Sequence, residues 1–209
     1  MKYDSKDSRT DMYNPNFSPT VSSQGINESS NFMKNLPKWV EFVSWARWYP
    51  DLFYDLITPE TGSIYIDLDE RIFLRATARF LSSYGVFPRG FGKTLLEVMS
   101  MYHGAIFYPD INNAMSAQTK ENAAKLLSEK HREVLKYYPL MANEIQKSSF
   151  VKDTAEVLFT SGGKVDILAN HQNTKGARRH TLNIEESALL NNALFEDWVL
   201  TVPLYSNVY

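Results

Sequence analysis

Two glycines, a lysine and a threonine stand close together in Gly90-Phe91-Gly92-Lys93-Thr94, behind the apolar run Tyr84-Gly85-Val86-Phe87 and ahead of Leu95-Leu96-Glu97-Val98-Met99. This order predicts a strand, a glycine-rich turn and a helix, which is the context a phosphate-binding loop needs. Backbone N–H groups at such a turn and the positive end of the helix attract an anion, and Gly90 and Gly92 let the backbone approach it closely. Lys93 would then reach the β- and γ-phosphates, and Thr94 would offer its hydroxyl to Mg²⁺. The usual spacing puts a further glycine at position 87, where this chain has Phe87, so that end of the loop must turn differently. A surface turn capping an apolar helix is the plainer alternative.

A second group of residues suits the same chemistry. Thr181-Leu182-Asn183-Ile184 reads as a strand running straight into Glu185-Glu186. Carboxylates at the C-terminal end of a strand lie where an open α/β sheet places its ligand chemistry. Glu185 would hold Mg²⁺, usually through water, and Glu186 would orient and deprotonate an attacking water. Taken alone, two acids at a strand end are more often the charged start of a helix; the Gly-Lys-Thr turn reverses that preference. Asn183 is unusual inside a strand, because its amide needs hydrogen-bond partners. Just upstream, Lys175-Gly176-Ala177-Arg178-Arg179-His180 is basic. It reads equally as a surface loop or as a source of positive charge for a transferred phosphoryl group. His180 reads as structural, since no second ligand stands at metal-binding spacing around it.

The elements that must position these groups follow from pattern. Residues 1–31, rich in Ser, Asn, Asp and Pro, predict a flexible arm. Residues 32–83 predict a helical segment: aromatic-rich helices from Leu36 to Ile57 with Pro37 at a start, a turn over Thr58–Gly62, and a helix over Asp67–Ser82. On that last helix Arg71, Arg75 and Arg79 are four apart. They read as a solvated face, with adenine or phosphate contact the alternative. Residues 84–209 predict the core domain, with an almost wholly apolar helix after the loop and a short strand at Asn112–Ala117. An amphipathic helix to Tyr138 follows, with Ala123, Leu127, Val134 and Tyr138 on one face. Ala155–Thr160 and Lys164–Ala169 predict a hairpin across Ser161-Gly162-Gly163.

With 209 residues, 44% of them hydrophobic, the chain is long enough for one sizeable α/β domain with a proper core. A net charge of −2 gives no global basic field, so any nucleic acid must be held by a local patch or by partner subunits. The absence of cysteine removes disulfides and cysteine-ligated zinc and fits a reducing compartment. Neither a secretion signal nor a membrane span is legible.

With both motifs in view, residues 37–209 resemble the N-terminal ATPase part of the large terminase subunit of tailed bacteriophages, the motor that packages DNA into procapsids. The resemblance rests on Pro88-Arg89-Gly90-Phe91-Gly92-Lys93-Thr94, with an arginine four residues before the lysine, and on Leu182-Asn183-Ile184-Glu185-Glu186-Ser187-Ala188. Ser116–Ala123 and Lys175–Arg179 add to it. It implies an α/β P-loop NTPase fold of the RecA-like type, a three-layer sandwich on a mostly parallel sheet preceded by N-terminal helices. It implies ATP and Mg²⁺ as cofactors, double-stranded DNA, the portal protein and the small terminase subunit as partners, and a homo-oligomeric ring. The place of action would be the host cytoplasm and, transiently, the portal vertex, with no membrane involved. The nucleotide would be lined by Arg89 through Leu95, with Glu70 and Arg71 near the base and Arg89 on a phosphate. Lys175, Arg178 or Arg179 would be the finger offered to a neighbouring subunit, with Arg178 the first choice. Glu70 stands where the family's glutamine reads adenine, and Glu185 where Asp is usual. The chain stops at Tyr209, soon after the acidic pair, so a truncated motor without nuclease activity is expected. The alternatives are another nucleic-acid-dependent ATPase, such as a helicase, or a non-catalytic interaction module.

Overall fold

The computed structural model describes residues 23–62, 64–168 and 179–187, with side chains from residue 34 onward. The chain divides into two compact units at Ala46/Arg47.

In the first unit the described element is helix α1, Ser23–Trp48, which carries Pro37 in its interior. The expected arm thus gives way to helix at Ser23, and Pro37 lies within the helix rather than at its start. A proline removes one N–H rung without forbidding helix on either side. Along α1, Trp39 stacks on Phe42 (5.6 Å between ring centroids) and Phe42 meets Trp45 (5.8 Å), pairs three residues apart on one helix face.

The second unit opens with α2 (Pro50–Leu56) and α3 (Leu68–Arg79). Proline at the first turn of α2 sacrifices an N–H that a helix start leaves unpaired anyway. The arginine row of α3 is not simply a solvated face, because it docks α3 onto α2. Arg75 grips the fully buried Asp51 with two hydrogen bonds (2.9 and 2.8 Å), Arg71 does the same to Asp55 (2.6 and 2.9 Å), and Arg79 donates to the Trp48 carbonyl. Arg75 and Arg79 also lie over the Tyr49 ring, 5.2 and 5.0 Å from its centre. Burial alone would raise the Asp51 carboxyl, but Arg75, helped by Arg71, outweighs it and holds the group below its ordinary value.

Helix α4 (Lys93–Phe107) is the buried spine, with Leu96, Val98, Met99, Met101 and Tyr102 all enclosed. At its C-terminal end the Arg47 guanidinium donates twice to the Phe107 carbonyl (3.0 and 2.8 Å), a cation satisfying an orphan carbonyl. Strand β1 (Asn112–Ser116) leads to α5 (Lys120–Tyr137), whose first turn is capped by Thr119 accepting from the Asn122 N–H at 3.1 Å. A short 3₁₀ turn over Pro139–Glu144 precedes β2 (Ile145–Val151), β3 (Thr154–Phe159), β4 (Lys164–Ile167) and β5 (Thr181–Ile184).

The five described strands lie in the order β2-β3-β4-β1-β5. The β4–β1 and β1–β5 pairs are parallel, whereas β2–β3 and β3–β4 are antiparallel. The expected mostly parallel, three-layer RecA-like sandwich is therefore corrected to a mixed sheet with helices. The reason is local. Lys152-Asp153 and Ser161-Gly162-Gly163 reverse the chain too tightly for a parallel crossover, and Gly162 sits at φ +83 to make the second turn. Helices α4 and α5 pack on each other and both on β1 and β4, so they share one face of the sheet. The strand expected at Tyr84–Phe87 is absent as well. Residues 82–88 are irregular, with Tyr84 and Val86 exposed.

Strand β1 is buried on both sides. Asn113 faces α4, donating from Nδ2 to the Met101 carbonyl at 2.9 Å, while Ala114 packs with Leu168, Leu182 and Ile184. No described helix is long and apolar enough to cross a membrane.

Candidate functional site

The glycine turn is built for close backbone approach. Gly90 and Gly92 adopt φ +84 and +85, left-handed values that a side chain resists, and Gly92 is the N-cap of α4. Its carbonyl accepts the Leu96 N–H at 3.1 Å, which starts the helix. The missing glycine at position 87 is explained by packing. The Phe87 ring stacks on Phe91 (4.5 Å, 11° between planes) and meets Phe73 of α3 edge-on at 5.1 Å. An aromatic clasp thus holds the loop to α3 where a glycine bend was expected. Gly85 is needed beside it, because a Cβ there would overlap the Phe87 ring.

Lys93 and Glu185, far apart in sequence, meet here. Lys93 is the first residue of α4, and its Nζ lies 3.3 Å from Glu185 Oε2. The pair is asymmetric, the lysine side chain being 37% exposed and the glutamate only 3%. Glu185 is set by its own N–H donating to the Ser116 carbonyl (2.9 Å) at the end of the β1–β5 ladder. That ladder is keyed to α4 through side chains: the Thr181 hydroxyl donates to Asn113 Oδ1 at 2.6 Å, and Asn113 holds the Met101 carbonyl. Glu185 Oε1 is buried and has no hydrogen-bond partner among the described residues.

Glu97 lies one turn along α4 from Lys93, on the same helix face. Its Oε2 is also buried without a hydrogen-bond partner among the described residues. Burial first, and then the nearby negative charge of Glu185, push its carboxyl up to about 8, with Lys93 pulling the other way. Two acid groups and one ammonium therefore gather where α4 begins and β5 ends.

The other expected residues are distributed unevenly. Thr94 and Leu95 follow Lys93 in the first turn, both half-buried. Arg89 is exposed on the loop. Glu186 is exposed too, with its backbone in the left-handed region at φ +52, and it follows Glu185 into a turn. Glu70 caps its own helix, its Oε2 accepting from the Asp67 N–H at 2.8 Å. Its other oxygen lies beside the loop, 3.5 Å from where a Cβ on Gly92 would be. Arg71, held by Asp55, lines a cleft of about 370 Å³ with Thr58, Ile64, Tyr65 and Ile66. Arg178 and Lys175 lie outside the described residues. Arg179 is engaged within its own chain, gripping Asp166 with two hydrogen bonds of 3.0 and 2.7 Å. His180 is structural: its Nδ1 accepts from the Asn112 N–H (2.9 Å) while its own N–H donates to the Asn112 carbonyl (2.8 Å).

Glu97, Asn113 and Phe87 are the site-building residues that the motifs do not single out. Glu97 had a visible signal, being the one acid inside an apolar helix directly after the lysine. Among the described residues no group of three or more His, Cys, Asp or Glu side chains is placed to hold a metal ion. The chain matches no protein-family model and none of the curated proteins.

Proposed function

We propose that this chain binds ATP with magnesium at the loop around Lys93 and hydrolyses it, as the ATPase part of a phage DNA-packaging motor. The observation that carries the nucleotide reading is the 3.3 Å pairing of Lys93 with Glu185 at the glycine-led start of α4. An ammonium, a helix N-terminus and an acid with a free oxygen in one place are the parts a metal-bound triphosphate requires. The orphaned Glu185 Oε1 fits a cation, and Thr94, next to Lys93, would supply a hydroxyl to it. When bound, magnesium would neutralise charge on the phosphates.

The chain's own residues would do the rest. Lys93 would exchange Glu185 for the β- and γ-phosphate oxygens, and Gly90 and Gly92 would let backbone N–H groups approach them. Arg89 would close over the phosphates from its exposed place on the loop. Glu186 would take the proton from the attacking water, and its left-handed backbone is a conformation often kept at functional turns despite its cost. Among the basic candidates for a trans-acting finger, Arg179 would first have to leave Asp166, which holds it. Double-stranded DNA, the portal protein, the small terminase subunit and a ring of copies are the partners proposed on the strength of the resemblance.

A second reading, a module that binds nucleotide without turning it over, is favoured by the exposure of Glu186, in contrast to the buried Glu185. Two variants separate them. Lys93→Ala should abolish binding of a fluorescent ATP analogue, and Glu186→Gln should bind it normally while phosphate release stops. Equal phosphate release by Glu186→Gln and the parent would remove Glu186 from the mechanism. Binding by the parent with no release under any condition would select the module.

A further inference from the structure

We propose that Glu97 is a second carboxylate of the cation site, joining Glu185 to hold a divalent ion once Lys93 has moved onto the phosphates. The inference rests on the nucleotide reading of Lys93 and adds to it a ligand outside both motifs. Its basis is a set of unmet needs at one spot. Glu185 is 3% exposed and carries an oxygen with no partner, and Glu97 carries another. The ion pair that Lys93 makes is with Glu185, leaving the Glu97 oxygen unanswered beside the enclosed Leu96, Val98 and Met101. A buried carboxyl oxygen without a hydrogen-bond partner is costly, so a helix gains nothing from Glu at this position as packing alone.

Electrostatics couples the two acids. Glu97 stands one turn along α4 from Lys93, and the Lys93 ammonium pairs with Glu185 at 3.3 Å, so the one lysine lies between both acids. The lysine is therefore the resident counter-charge of the acid pair. Drawing it away to a triphosphate would leave two carboxyl groups in a poorly solvated corner with no positive charge. A divalent cation restores the balance, taking one oxygen from each and the rest of its shell from Thr94, phosphate and water. Nucleotide and cation would thus enter as a linked pair, with Lys93 competing against the cation for Glu185 in the empty protein.

That competition can be measured without turnover. Mn²⁺ binding to the full chain in the absence of nucleotide, followed by electron paramagnetic resonance, should tighten about tenfold in Lys93→Met, which removes the competing ammonium. Adding Glu97→Gln to Lys93→Met should undo that gain, and Glu185→Gln should undo it likewise. The inference is overturned if Lys93→Met/Glu97→Gln binds Mn²⁺ as tightly as Lys93→Met, or if Lys93→Met gains nothing. Should Glu97→Gln fail to fold by circular dichroism, Glu97→Asp in the same background serves, with an intermediate affinity expected and an unchanged one fatal. Binding of a fluorescent ATP analogue to the parent chain tests the underlying reading separately. An analogue that binds normally beside an inert Glu97 would reject this inference alone.

Discussion

Glu70 shows how one side chain can be read two ways. Its position before the glycine turn suggests a residue that faces the nucleotide base, yet its carboxylate caps α3 with one oxygen and leaves the other beside Gly92. A negative charge there opposes an incoming phosphate. Glu70→Gln should therefore bind ATP severalfold more tightly, a gain of about 0.5–1 kcal/mol at the dielectric of a half-exposed site. Glutamine still accepts from the Asp67 N–H, so the cap should persist and the melting temperature should hold. The dissociation constant of the ATP analogue, measured at low and high salt, checks this. The gain should shrink as salt screens it. Equal or weaker binding would mean that Glu70 does not face the phosphates. Glu97 gives the complementary lesson. Its residue type was legible, but its significance lies in an unpaired buried oxygen, which only packing reveals.

At the scale of elements, the α2–α3 pair sets where the loop can lie, because Phe73 of α3 supports the Phe87–Phe91 stack. That pair is held through Asp51, whose carboxyl is fully buried and sits below its ordinary value despite burial, owing to Arg75 and Arg71. The sign of the linkage follows. An unfolded aspartate has a pKa near ~3.9, and the folded one is lower. Its stabilisation is complete above the unfolded value and disappears as pH falls through the folded value. Asp51→Asn should lower stability by about 2–3 kcal/mol near neutral pH, less than for a wholly buried pair because Arg75 is 35% exposed. The deficit relative to the parent should narrow on acidification below pH ~4, read from urea midpoints across that range. A deficit independent of pH would assign the loss to packing rather than charge. The arginines at helical spacing were plain in the sequence, but their acids were not, since Asp51 and Asp55 sit on another helix. Elements with strong local signals were legible: the amphipathic helix ending near Tyr138, the glycine hairpin, and Thr181–Ile184 as a strand. Strand β2 was not, because Gln146, Lys147, Ser148 and Ser149 carry no apolar alternation and the strand lies at the end of the sheet order, mostly exposed.

For the molecule as a whole, local pattern fixes which segments are extended but not which neighbours they find. Tyr84–Phe87 is apolar enough for a strand, yet Tyr84 and Val86 stay exposed and the run pairs with none of the described strands. The hairpins make half of the strand pairings antiparallel, an outcome set by turn chemistry rather than by the site motifs. The proposed site lies where the start of α4 meets the end of β5, so ligand effects there would be local. Strand β1 has paired neighbours on both sides, whereas β5, which carries Glu185, has one among the described strands. Amide exchange should thus be slowest in β1 and faster in β5 before any ligand binds. ATP with Mg²⁺ would bridge the start of α4 to the end of β5 and should slow exchange over residues 90–97 and 181–187, while leaving the β2–β3 hairpin, at the far end of the sheet order, unchanged. Lys93→Ala should erase that protection, because the bridge begins at its ammonium. Protection spread evenly over the hairpin, or none at residues 181–187, would show that the ligand does not join the glycine turn to the acidic strand end.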